Sequence, residues 1–146
     1  MQIKKSVLVE YPAEYMYQLV YRIEDYSDFL PWCSKTEILR QKDLIVEARI
    51  YMDYLMIKQS FTTENTHIEN QEIHMVLVDG PFKYLDGYWK FLDLGTLGCQ
   101  IDFILEYEFT NHFISRVLGP VFHMISSTLV DAFIKEANRR YVQNLD

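Results

Sequence analysis

Glycine is scarce in this chain, with five in 146 residues, alongside four prolines and two cysteines. So few glycines leave no phosphate-cradling loop of the Walker or dinucleotide type, and there is no Gly-x-Ser-x-Gly elbow for a nucleophilic serine. Cys33 and Cys99 show neither Cys-x-x-Cys nor metal-ligand spacing. Reduced, buried thiols in a cytoplasmic protein are expected. Of the histidines, His67, His74, His112 and His123, none falls into a His-Glu-x-x-His pattern, so no metal site is expected. His112 is placed at a helix start, and His123 is read as a satisfied structural histidine within that helix. Positive charge is also in short supply. The balance of 14 Lys and Arg against 21 Asp and Glu gives a formal net charge of -7. Nucleic-acid phosphate repels such a chain, so direct DNA binding is not expected. The one basic cluster, Lys135, Arg139 and Arg140, also suits the end of a helix, where cations complement the macrodipole. No signal-like N-terminus is seen, and no run approaches the ~20 apolar residues that span a bilayer.

Hydrophobic residues are plentiful, at 49% of the chain with 15% aromatic. Their spacing predicts the elements. Ile3–Glu10 reads as a strand. Pro12 then opens a helix over 12–23, with Met16, Leu19, Val20 and Ile23 at helical intervals, and a brief helix follows over Tyr26–Leu30. From Thr36 the period becomes two. Strands are predicted at Thr36–Arg40, Leu44–Met52, Leu55–Thr63, Ile73–Leu77, Tyr84–Leu94 and Ile101–Phe109, with turns near Asp53, around Asn70 and at Asp79-Gly80-Pro81. Short spacers imply a meander of hairpins, and one apolar face implies an antiparallel sheet covered on one side. After Thr110 or Asn111 as N-cap, a stripe including Val117, Leu118, Val121, Phe122, Ile125, Leu129, Phe133, Ala137 and Tyr141 predicts a helix of about 30 residues. Gly119-Pro120 predicts a kink or local break within it. The order gives one α+β domain over residues 1–146, with a curved antiparallel sheet wrapped around a long C-terminal helix in a helix-grip arrangement.

Catalytic sets are hard to find. Asp102, Glu106 and Glu108 fall on the solvated face of their strand, where they cannot converge on a substrate. Cys33 has no neighbouring base, and an inert buried thiol is expected. The expectation is a protein that is not an enzyme.

Four stretches carry a resemblance: Tyr11–Val20, Tyr26–Cys33 with its Phe-Leu-Pro-Trp-Cys segment, Leu77–Phe91 with Gly-Pro-Phe-Lys, and Phe103–Asn111 resumed at Leu129–Phe133. Together they are similar to the coenzyme-Q-binding branch of the START-like, polyketide cyclase-like superfamily, a branch that includes bacterial ribosome association toxins. Gly119-Pro120 departs from the pattern, where a glycine stands without the proline. The resemblance implies a helix-grip fold with a deep apolar cavity. It implies ubiquinone or a related polyprenyl lipid as ligand, bound non-covalently, in support of respiratory electron transport. The alternative it implies is a block on association of the ribosomal subunits, with the ribosome or another protein as partner. A polyketide cyclase or aromatase reaction is a third implication, disfavoured because the inner faces read as apolar. The expected location is the cytoplasm, with transient contact at the periphery of the inner membrane. The ligand wall is expected at Val46, Ala48, Phe61, Met75, Trp89, Phe91, Phe103, Phe122, Ile125 and Leu129.

Overall fold

A computed structural model describes residues 1–144. Strand β1 (Gln2–Val9) leads into helix α1 (Ala13–Tyr21), a 3-10 turn (Ile23–Asp25) and helix α2 (Tyr26–Phe29). Six strands follow: β2 (Cys33–Lys42), β3 (Ile45–Tyr54), β4 (Ile57–Ile68), β5 (Glu72–Asp79), β6 (Phe82–Asp93) and β7 (Cys99–Phe109). Helix α3 (His112–Asn144) completes the chain. The seven strands form one sheet in the order β1-β7-β6-β5-β4-β3-β2, and each neighbouring pair is antiparallel. Strands β2 to β7 are therefore a meander, while β1 reaches across to close on β7. Extra residues at Ser34 and Leu39 in β2, Val78 in β5 and Lys83 in β6 break the register. Such bulges bend a strand and increase its twist, which lets the sheet curl around the helix. This is the helix-grip arrangement.

Positive φ recurs at the hairpin turns, at Asp43, Leu55, Met56, Asn70, Gly80, Gly95 and Gly98, and two of these turns bear on how the strands pair. Gly98, between β6 and β7, has φ +114, and a Cβ there would lie 2.0 Å from the Val9 carbonyl oxygen. Only glycine fits where β1 ends so close. The β3–β4 turn is not at Asp53, as predicted, but at Leu55-Met56, with φ of 50 and 69. Neither residue signals a turn chemically, and Leu55 continues the alternation of β4 in sequence, so the hairpin is set by the pairing of its strands rather than by its tip.

The long helix is continuous through Gly119-Pro120, so the predicted break does not occur. Pro120 is exposed, as is Arg116 one turn earlier. The Arg116 carbonyl that loses its partner can turn to water, which lowers the cost of an interior proline. Asn111 is the cap, its Oδ1 accepting from the Ile114 N–H at 2.9 Å, which satisfies one orphan donor of the first turn. Buried positions Leu118, Val121, Phe122, Ile125, Val130, Phe133 and Ala137 follow the helical period. Val117 and Tyr141, expected on the same stripe, are exposed. Over His112–Val142 the helix has a window of mean hydropathy 1.5, long and apolar enough by composition to cross a bilayer. Scattered Ser, Thr, Gly and His hid this from a search for an unbroken apolar run. Here its buried stripe packs on the sheet.

Candidate functional site: an enclosed cavity between sheet and helix

The inner face of the sheet and the inner face of α3 do not meet everywhere. They leave a cavity of about 80 Å³. Phe61, Met75, Trp89, Phe103, Phe122, Ile125 and Leu129, expected at the wall, all line it. Val46, Ala48 and Phe91 do not. Each is buried on the same sheet face, 4%, 1% and 4% exposed, but their positions along the strands carry them past the cavity. Val46 and Ala48 precede Ile50, which does reach the wall. Phe91 sits against Tyr17 of α1, with ring centroids 5.9 Å apart. Periodicity tells which face a residue takes and not how far along the strand the helix lifts away.

Leu85, Leu105 and Phe133 extend the same apolar faces of the wall, and two further sources complete it. Ile23, Tyr26, Leu30 and Trp32 close the cavity from the α1–α2 segment, whose aromatic density was visible in sequence while its placement was not. Thr63, Asn65 and Ser126 add polar groups that the sequence reading left out. The signal for the first two was present: Phe61, Thr63, Asn65 and His67 keep the two-residue alternation of β4, so they share the inward face. All three polar residues are 3–4% exposed. Thr63 Oγ1 donates to Asn65 Oδ1 at 2.8 Å, and Ser126 Oγ donates to the Phe122 carbonyl at 2.8 Å.

The titratable groups around the cavity are few. Tyr26 is the one phenol in its wall. Its hydroxyl donates to the Val20 carbonyl, and burial pushes its pKa far above the ordinary value. Among the described residues no Asp, Glu, His, Lys, Arg or Cys lines the cavity. His67, one alternation beyond Asn65, lies outside it. Burial lowers its pKa to about 4, its Nδ1 lies 3.2 Å from the Tyr17 hydroxyl, and its Nε2 has no partner. Tyr107 is likewise sealed, with an unpartnered hydroxyl and a pKa raised by burial, opposed by the nearby Ser126 hydroxyl.

The other sequence candidates lie away from the cavity. Asp102 and Glu106 sit on the outer face of β7 and accept from Ser6 at 2.6 Å and Gln2 at 2.8 Å on β1; Glu108 is exposed on that face. Cys33 and Cys99 are buried, free thiols whose pKa values burial raises to about 11. His112 opens α3 as expected. His123 is exposed, so it is not the satisfied interior histidine that was expected. Arg139 and Arg140 do not form an open basic patch. Both bond to Glu136, itself 4% exposed, at 2.6–2.8 Å, and Arg140 also reaches Asp25 at 3.7 Å. Among the described residues no cluster of three or more metal-ligating side chains is found.

The chain is 42% identical over 140 residues, 96% of its length and 89% of the other, to the ribosome association toxin RatA of Escherichia coli K12. It is 26% identical over 145 residues to the mitochondrial coenzyme Q-binding protein COQ10 homolog B of Xenopus laevis, spanning 96% of this chain and 59% of that one. Among solved structures, the Zhui aromatase/cyclase of Streptomyces sp. R1128 superposes with a TM-score of 0.82 at 18% identity, covering 97% of this chain and 95% of that one, a likeness of fold. Residues 9–134 match the family model for polyketide cyclase/dehydrase and lipid transport proteins, and the chain belongs to that family.

Proposed function

We propose that the protein binds a hydrophobic small molecule in the cavity without turning it over. The observation that carries this reading is the wall itself: mostly aromatic and aliphatic, with no carboxylate, imidazole, amine or thiol among the described residues facing the space. The three hydroxyls in the wall, of Tyr26, Thr63 and Ser126, each donate to a protein acceptor, and none has a basic side chain beside it in the wall to activate it for acid–base or nucleophilic work. Ubiquinone or a related polyprenyl lipid is the proposed ligand, supported by the likeness to a coenzyme Q-binding protein and by the family's association with lipid transport. Volume sets a condition. About 80 Å³ is less than the ~150 Å³ that holds a benzene-sized ring. A ring enters by displacing the partly buried side chains of Met75 and Leu129, and a tail lies between α3 and the sheet. Each buried CH₂ contributes about 0.8 kcal/mol. The proposed role is support of respiratory electron transport, from the cytoplasm and the inner-membrane surface. Native mass spectrometry of protein from its own cells, with solvent extraction, tests the reading. A co-purified quinone or prenyl lipid is expected; an empty protein that also fails to take up added quinone ends it.

A second reading is a block on ribosomal subunit association, supported by 42% identity to a protein named for that role. The net charge of -7 and the engagement of Arg139 and Arg140 with Glu136 favour a ribosomal protein over rRNA as the point of contact. Addition of purified protein to dissociated subunits should leave 30S and 50S peaks in a sucrose gradient. Full recovery of 70S particles would exclude this role.

A further inference from the structure

We infer that the side-chain amide of Asn65 is the polar anchor of the cavity, so that the ligand enters with a hydrogen-bond acceptor, a carbonyl oxygen, at its buried end. This rests on the reading that the cavity binds an apolar molecule, and adds which end goes in first and which residue selects it. Asn65 lies in the interior of β4, paired in register with Val46 and Met75. It is 3% exposed and part of the cavity wall.

A primary amide carries two donors and an acceptor with two lone pairs. Only its acceptor side is engaged: Thr63 Oγ1 donates to Asn65 Oδ1 at 2.8 Å. The orientation of the amide follows from Thr63. With oxygen and nitrogen exchanged, the Thr63 hydroxyl proton would lose the one side-chain acceptor it has among the described residues. The NH₂ group then points away from Thr63, with no protein partner among the described residues for either proton. The atom is not among the sealed, unpartnered ones, which are His67 Nε2, Asn70 Oδ1 and the Tyr107 hydroxyl. Asn65 is a wall residue, and we place its amide nitrogen on the cavity side.

Leaving an amide donor unbonded in an apolar enclosure costs free energy. Valine at 63 with leucine at 65 would fill the two positions at nearly equal volume without that cost, so a stability role does not account for the asparagine here. A bound acceptor does, because the desolvation cost is removed when the ligand arrives. The other polar wall group, Ser126, gives its proton to its own helix through the Phe122 carbonyl, so it offers lone pairs rather than a donor. The pattern selects a carbonyl at the Asn65 end. A hydrocarbon leaves the amide unbonded, and a carboxylate or phosphate meets no cation in the wall.

Acetophenone and α-methylstyrene test this directly, since they have nearly the same shape and differ in C=O against C=CH₂. The wild-type protein should bind acetophenone more tightly. Asn65→Leu should weaken acetophenone by roughly five- to tenfold, the range of one buried hydrogen bond, and leave α-methylstyrene within about twofold. The carbonyl stretch of ¹³C-labelled acetophenone should be red-shifted in the wild-type complex, and the shift should vanish in T63V/N65L, which removes both polar partners and so leaves no orphan to unfold the strand. Equal affinity of the wild type for both compounds, or equal loss of both in Asn65→Leu, overturns the anchor while leaving the apolar cavity reading intact. Binding of neither compound overturns both.

Discussion

Strands β4 and β7 turn equally inward, yet they present opposite chemistry. The inner face of β7 is Ile101, Phe103, Leu105, Tyr107 and Phe109, all 6% exposed or less. The inner face of β4 beyond Phe61 is Thr63, Asn65 and His67, all 4% exposed or less. Burial alone does not separate them. What separates them is what they touch. Phe103 stacks at a tilt on Trp89 with centroids 4.6 Å apart, and Phe109 and Tyr107 pack on Phe122. The polar residues of β4 bond to each other or to Tyr17 and leave donors over. One strand holds the fold together, and the other carries groups whose desolvation cost is only partly offset by hydrogen bonds in the free protein.

The largest break in this comparison should come from β7. Phe103→Ala removes a fully buried aromatic ring that packs on Trp89 and enlarges the cavity. The expected loss is about 3–5 kcal/mol, read as a lower urea midpoint at unchanged slope. A loss below ~1 kcal/mol would mean that β7 is no more essential to the core than β4.

Most of the fold was legible because the period changes cleanly from 3.6 to two and back. The site was legible only by face. Trp89 reaches the cavity while Phe91 on the same strand does not, and nothing in a single sequence says where α3 stands off. Asn65 was hidden for a different reason. A search for apolar alternation stops at Thr63, because a buried asparagine looks like a surface one. Extending the phase regardless of polarity would have exposed it. Pro120 misled in the opposite direction, since its effect depends on which side of α3 faces water.

His67 gives the second test, in pH. Burial lowers its pKa from 6.5 to about 4 in the folded state, so the fold favours the neutral ring. That contribution is complete above pH ~6.5 and is lost as pH falls toward 4, because only the unfolded chain then takes up the proton freely. The expected difference at pH 5 is roughly 2 kcal/mol. In His67→Gln, which keeps an acceptor for Tyr17, the fall in stability between pH 7 and 5 should flatten by that amount. An unchanged slope would place the pH sensitivity elsewhere.

Gly87 joins the two strand regions through β6, paired with Met75 on one side and Leu105 on the other. A Cβ there would lie 2.8 Å from Met75 Cε and 3.0 Å from Leu105 Cδ1, both wall side chains. Gly87→Ala should push them into the cavity, costing about 1–2 kcal/mol in stability and weakening α-methylstyrene more than it weakens the fold. Titration of that hydrocarbon beside thermal unfolding separates the two effects. Undiminished uptake would mean that the wall yields elsewhere.

The smallest expected change sharpens the comparison most. T63V/N65L deletes both members of a buried hydrogen-bonded pair and replaces them with shapes of similar volume. When both partners go together no orphan remains, and the net effect is near neutral or stabilising. An unfolding free energy within about 1 kcal/mol of wild type is expected, on either side of zero, from a change buried as deeply as Phe103→Ala. A large loss would show that the Thr63–Asn65 pair holds the sheet, and β4 would then be core in the same sense as β7. Near-neutrality means that the strand keeps polar side chains the fold does not require, which is the behaviour of a wall shaped by what it binds.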